Sequence, residues 1–589
     1  MKIDLRTDSP KEDLVICKRK MASLSIARLF VFLALGATFI IGVTEIRPIL
    51  LLFVPLSALF IYLIILYNAQ KDRAAFLNSL LEMEKESSFR QERMLDSLDQ
   101  GNEFMDKNHP YCNDLDLFGS HSLFQLINHT VNKGGRNLLA QWMKAATEPV
   151  LAEKRFSAIK ELAGKNLFVR NFEAIGRSFL KEEKTKSQFY SWLEEPIAWK
   201  SWYWLPMILG PVGGISLLSA WLFTGINGNL ISLWILIGIP LLGLIFKPLL
   251  QAAKSMPNEG DLKTYALWTS EIEKLNFHHP YNKSLQAPFV QEDYKASEAL
   301  KFLEQRSFMI QNRINLMYLI FNLLFWVDFW VLFGIEKWKK KYAHQVHNWE
   351  SNFAEWQVMS SLASFTNEEG ISCAISWNSK GTIHVENLKH PLINPSKCIG
   401  NDFSLSETQQ LSLLTGSNMS GKTTFMRTLG INMVLANLGL SPFAEKFECS
   451  SFQLFTSMRN SDNLGESVSS FYAELARIKN LLDRVENQEP ILFLLDEILK
   501  GTNTVDRIMG SEALIRQLVK TPSKGIISTH DIELAELSDK INGLVNFSFH
   551  SEIKDKEILF DYKIKKGPCP SFNAHKLMEL MGIRFETFT

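Results

Sequence analysis

The chain lacks the cysteine spacing of a disulfide framework or a metal site. Its six cysteines, Cys17, Cys112, Cys373, Cys398, Cys449 and Cys569, are scattered and form no CxxC pair. Isolated thiols in a reducing compartment are the simplest reading. A net charge of one sign is also missing, since 63 Lys plus Arg balance 63 Asp plus Glu. That balance excludes a global basic footprint for nucleic acid and leaves only a local patch. No internal repeat or low-complexity tract stands out. At 589 residues the chain is too long for one core, and two or three are expected.

Charge is nearly absent from four long stretches. Residues Ile26–Val43 hold Arg28 near their start and no other charge, and Ile49–Tyr67 hold none. Each run approaches the roughly 20 apolar residues that cross a bilayer as a helix. The polar joint Thr44-Glu45-Ile46-Arg47-Pro48 makes them a helical hairpin. A second hairpin is read at Tyr203–Phe223 and Leu230–Phe246, split by residues 224–229 and preceded by interface-seeking Trp202, Tyr203 and Trp204. The first run lies too deep in the chain and is too long for a cleaved signal peptide. Lys18, Arg19, Lys20, Arg28, Lys71, Arg73 and Lys247 flank the spans on one side. That side is therefore assigned to the cytoplasm of an inner-membrane, multi-pass protein. A fifth run, Asn315–Ile335, carries Asn322 and Asp328, and a fifth crossing would put the C-terminal third outside. It is read as a core or membrane-surface helix.

The expected organisation follows. Residues 1–25 form a polar cytoplasmic lead, 26–67 the first hairpin, 70–200 a helical region, 203–246 the second hairpin and 250–365 its helical continuation. Within the first helical part, residues 70–106 suit a solvated helix. From residue 370 to 589 the texture turns to β-prone runs, Gln410–Thr415, Ile491–Leu495, Gly525–Thr529 and Leu559–Ile564, alternating with helical stretches. That is the pattern of an α/β layer with mainly parallel strands.

Chemistry concentrates in this last part. Gly416-Ser417-Asn418-Met419-Ser420-Gly421-Lys422-Thr423-Thr424 is a GxxxxGKT string following a strand and opening a helix. Its glycines permit backbone turns that aim N–H groups at phosphate oxygens, and the helix N-terminus adds positive potential. Lys422 then reaches the β- and γ-phosphates of ATP, and Thr423 ligates Mg²⁺. Ile491–Leu495 reads as a buried central strand ending in Asp496 and Glu497. Asp496 is assigned to Mg²⁺ and Glu497 to the attacking water. A third strand delivers His530, placed to sense the γ-phosphate or touch that water.

These motifs resemble the MutS family of mismatch-repair ATPases. Thr415–Arg427 is similar to its TGPNMxGKS/T element, Leu495–Thr504 to LDEIGRGTST, Ser528–His530 to ATH, and His390-Pro391 to its upstream HP. Asp462–Leu475 resembles the element that crosses a dimer to the partner's nucleotide, which would make Ser469 a trans-acting nucleotide contact. Lys566–Ser571 resembles the closing region, and Ser122–Trp142 the start of the helical core or lever domain. The resemblance implies an α/β P-loop ATPase domain of ABC type and a mostly helical lever region, here carrying two transmembrane hairpins. It also implies ATP with Mg²⁺, homodimerisation through the ATPase domains, and DNA as a partner.

Three departures bear on that last point. The first hairpin stands where the mismatch-reading domain is expected, the second interrupts the lever, and no C-terminal helix-turn-helix tail is recognised. Cys398 stands where an aromatic residue usually stacks on adenine. The leading expectation is a membrane-anchored ATPase gripping mismatched or branched DNA through phosphates. The alternative is an ABC-type ATPase driving membrane transport or mechanics, although no LSGGQ string occurs.

Overall fold

The computed structural model describes residues 4–44, 47–182, 184, 186–291, 294–313, 315–459, 470–554 and 557–570. The chain divides into two compact units. One comprises Met1–Lys85, Thr130–Arg136 and Lys165–Ser360, the other Glu86–His129, Asn137–Gly164 and Ser361–Thr589.

The first unit is built on helices α1 (Pro10–Thr44), α2 (Phe53–Glu92, as far as Lys85), α3 (Trp204–Thr224), α4 (Asn229–Ser255), α5 (Glu259–Glu273), α6 (Ala296–Gln311), α7 (Leu316–Phe325) and α8 (Val327–Glu369, as far as Ser360). Four helical stretches, Pro10–Gly42, Ile49–Glu92, Ser201–Thr224 and Asn229–Ser255, are long and apolar enough to cross a membrane. Their large side chains face outward, as with Phe30, Phe39, Ile208 and Leu236. Away from these stretches the unit has an ordinary aromatic core. Trp268 stacks on Phe172 at 4.6 Å between centroids, and its indole N–H donates to the Phe172 carbonyl at 2.6 Å.

Two expectations need correction here. The solvated helix expected over residues 70–106 is instead the continuation of the second apolar run in α2. No Gly or Pro separates Tyr67 from Glu92, so nothing stops the helix before Arg93, which takes φ 61°. Phe76, Leu77 and Leu80 bury one face of it. Asn315–Ile335 is not one helix either. It splits into α7 and the start of α8, bent by 92° at Trp326, whose φ is 52°.

The second unit holds two sheets. Its strands are β1 (Ile375–Asn378), β2 (Ile383–Leu388), β3 (Asn401–Leu405), β4 (Leu411–Thr415), β5 (Lys446–Ser450), β6 (Gln453–Ser457), β7 (Ile491–Asp496), β8 (Lys524–Thr529), β9 (Leu544–Lys554) and β10 (Glu557–Lys566). The larger sheet has the order β10-β9-β4-β8-β7-β6, and the smaller β1-β5-β2-β3. Within the larger sheet β9, β4, β8, β7 and β6 are mutually parallel, and β10 is an antiparallel edge. The parallel strands are apolar on both faces because helices α9 (Lys422–Leu438), α10 (Ser470–Glu486) and α11 (Thr504–Leu518) accompany them. Leu413, Phe493, Leu495, Ile515, Leu518 and Ile527 share one core. Gly525 on β8 has no Cβ because the Phe493 ring fills that space. Register then sets the site: Thr529 pairs with Thr415 and Ser528 with Asp496, so three strand ends finish level with one another.

Candidate functional site

The turn leaving β4 is possible only with glycine at two points. Gly416 has φ 152° and Gly421 φ 109°. A Cβ on Gly416 would sit 2.7 Å from the Phe549 carbonyl oxygen. Between them Met419 takes φ 66° and is almost wholly exposed, while Asn418 is also exposed. The Ser417 hydroxyl lies 3.5 Å from that of Ser551. Ser420 is different, because its Oγ is buried without a hydrogen-bond partner among the described residues. A buried hydroxyl of that kind is an unmet donor that an anionic oxygen in the loop would satisfy.

Helix α9 starts at Lys422, so its free N–H groups open toward the loop. Lys422 is buried and donates from Nζ to the carbonyls of Gly416, at 2.9 Å, and Ser417, at 3.1 Å. Burial lowers its pKa, opposed by Glu497 and Asp496. One residue on, Thr423 Oγ1 donates to Asp496 Oδ2 at 2.6 Å. The other carboxylate oxygen of Asp496 accepts from the Ser528 hydroxyl. Thr424 faces a cleft described below.

Glu497 follows Asp496 with φ 49°, a left-handed conformation that costs a non-glycine residue and turns its side chain to the strand ends. Its N–H donates to the Ser528 carbonyl at 3.1 Å. Its Oε1 meets His530 Nε2 at 2.8 Å, and its Oε2 meets Lys500 Nζ at 2.7 Å. The hydrogen bond from His530 and the charge of Lys500 hold this carboxylate down at about 2, against the opposing effect of burial. His530 Nε2 also lies 3.5 Å from Lys422 Nζ. Behind it, Arg507 grips Asp531 through two contacts of 2.7 and 3.1 Å.

The structure therefore brings Gly416, Ser417, Ser420, Gly421, Lys422, Thr423, Asp496, Glu497 and His530 to the carboxyl ends of β4, β7 and β8. Ser469 lies outside the described residues, as does most of 462–475. Four contributors carry no role in the sequence reading. Lys500 stands three residues after Glu497, and Ser528 lies inside a quoted motif, so both had a local signal. Glu474, whose carboxylate accepts the Leu499 N–H, had a weaker one. Tyr562 had none, because β10 brings it from far along the chain.

Tyr562 closes a cleft beside the loop, shared with His390, Cys398, Ile399, Asn401 and Thr424. Its ring would lie 3.3 Å from a Cβ at Gly421. Cys398 is engaged elsewhere: its sulfur accepts the His390 N–H at 3.3 Å. His390 is itself almost fully enclosed, and burial pushes it down to about 4.

MutS domain V matches residues 412–583. The DNA mismatch repair protein MutS of Listeria welshimeri is 29% identical over 243 residues, covering 40% of this chain and 28% of that protein. MutS of Lactobacillus delbrueckii subsp. bulgaricus is 31% identical over 222 residues, 37% of this chain and 26% of that protein. For MutS of Streptococcus mutans the values are 28% over 250 residues, 41% and 29%. The chain thus spans less than a third of the length of these relatives. What this chain shares with the MutS family model is one domain, MutS domain V, at residues 412–583.

Proposed function

We propose that this chain is a membrane-anchored ATPase of the MutS type, working as a homodimer that closes on ATP and reopens on hydrolysis. The observation that carries the reading is the bond between Thr423 and Asp496. It joins the loop that would cradle phosphates to the strand that carries Glu497. Gly416–Thr424 would hold the ATP phosphates, with Lys422 and the unpartnered Ser420 hydroxyl as side-chain donors. Thr423 and Asp496 fit Mg²⁺, which would neutralise charge on the phosphate oxygens. Glu497 and His530 would orient the attacking water. The adenine would enter the cleft beneath Tyr562, whose ring supplies the flat face that Cys398 does not. Ser469 is the proposed contribution of a second copy. DNA is the proposed cargo, held by phosphate contacts.

Four long apolar helices favour a second reading, in which the same ATPase works on the membrane without DNA. Two measurements separate them. Detergent-purified protein should hydrolyse ATP, and Glu497→Gln should reduce turnover by roughly 10²–10⁴-fold, the usual contribution of a positioned base. Unchanged turnover would remove Glu497 from the mechanism. Fluorescence anisotropy with homoduplex, mismatched and branched DNA should show binding that weakens as salt rises. Absence of binding to all three would leave the membrane-mechanical reading.

A further inference from the structure

The run split at Trp326 does not fit the first of the two roles expected of it, that of a core helix. Helix α7 turns five large apolar side chains outward, Leu316, Met317, Leu319, Ile320 and Phe321, and buries only Asn322. A core helix would do the reverse. Its other side is seated on the second hairpin. The Trp234 indole on α4 donates to the Leu324 carbonyl at 2.9 Å, and Trp234 stacks on Trp326 at 4.4 Å. On α3, Gly210 leaves room for the backbone of α7, since a Cβ there would meet the Phe325 oxygen at 2.6 Å. Trp330 at the start of α8 donates to the Met207 carbonyl at 2.8 Å.

The ends of α7 are tied together in the opposite manner, by polar groups. Arg313, just before it, pairs with Asp328, just after it, at 2.5 Å. The Tyr318 hydroxyl donates to the same carboxylate at 2.6 Å, and Asn322 Oδ1 accepts the Asp328 N–H at 2.9 Å. The long side chains of Arg313 and Tyr318 thus reach across the bend to one carboxylate. Ten residues of helix rise about 15 Å, half of the roughly 30 Å hydrocarbon core. Farther along α8, Lys337, Lys340 and Lys341 are exposed, a cationic rim suited to acidic headgroups.

From this we infer that α7 is a re-entrant half-helix, buried in the hydrocarbon of the cytoplasmic leaflet beside the second hairpin. Its chain leaves the membrane on the side from which it entered. The inference rests on the membrane reading of α3 and α4. The polar clasp of Arg313, Tyr318, Asn322 and Asp328 pairs polar groups around the bend, while the buried Trp326 indole N–H has no partner among the described residues.

Site-resolved maleimide labelling of the full chain tests it, read by peptide mass spectrometry in intact and permeabilised cells. Gln311→Cys and Lys340→Cys should react with an impermeant maleimide only after permeabilisation. Leu319→Cys and Ile320→Cys should lose labelling in both conditions and gain it once the membrane is dissolved and the chain unfolded. Labelling of residues 319 and 320 in permeabilised cells at the rate of residue 311 would overturn the half-helix. So would residues 311 and 340 reacting from opposite sides, which means a full crossing. Phe30→Cys and Leu236→Cys serve as controls in the long spans. If these also react in intact membranes, the anchoring itself fails; if they are protected, failure at residue 319 belongs to α7 alone.

Discussion

Glu497 is held between the His530 imidazole and the Lys500 ammonium, and this sets how the site should respond to pH. A carboxylate held near 2 is ionised at every physiological pH, so it can accept a hydrogen bond from the attacking water throughout that range. Lys500→Ala would leave His530 as its remaining partner from the pair. Losing a neighbouring positive charge raises a carboxylate pKa. The acidic limb of the ATPase pH–rate profile should therefore move to higher pH in this variant. His390 behaves differently, because its low value comes from burial. Between its ordinary 6.5 and about 4, the unfolded chain takes up a proton that the folded chain refuses. Stability then falls as pH drops through that window and levels off below it, by an amount on the order of 3 kcal/mol. Thermal unfolding in detergent at pH 7 and pH 4.5 should show the loss, and His390→Gln should flatten it.

Elements differ in how much of them the residues announce. The loop at 416–424 was legible because its chemistry is local: glycine spacing, Lys422 and the helix that follows form one contiguous string. Asp496 and Glu497 were legible because a fully apolar strand ends on them. The Tyr562 cleft was not, since it depends on β10 pairing with β9 and on Asn401 accepting the Ile564 N–H at 2.8 Å from β3. The bend at Trp326 was equally hidden. No glycine or proline marks it; stacking on Trp234 and the hydrogen bonds of the clasp hold a left-handed tryptophan in place. That dependence makes a prediction. Gly210→Ala inserts a methyl against backbone that cannot swing aside, so α7 should be displaced at a cost of about 1–3 kcal/mol. A lowered apparent unfolding temperature in detergent, with the ATP affinity of the other unit unchanged, is the expected result.

At the scale of the whole molecule, the outward-facing apolar helices govern how the protein is handled. Interface charges would be stripped by salt or alkali, whereas four long apolar helices would not be released. The chain should stay in the membrane pellet through both washes and enter solution only with detergent. The level strand ends described above have another consequence. Thr415, Asp496 and Thr529 meet only when β4, β7 and β8 have paired in register, and their strands come from well-separated parts of the sequence. No local fragment can assemble the site, so the nucleotide has nothing to hold until that sheet exists. ATP bound as proposed would act as a thermodynamic report on the completed sheet: at a hundred times its Kd it would add about 2.7 kcal/mol to the folded side. Each turnover would withdraw part of that support, leaving the sheet most exposed to unfolding just after the product departs.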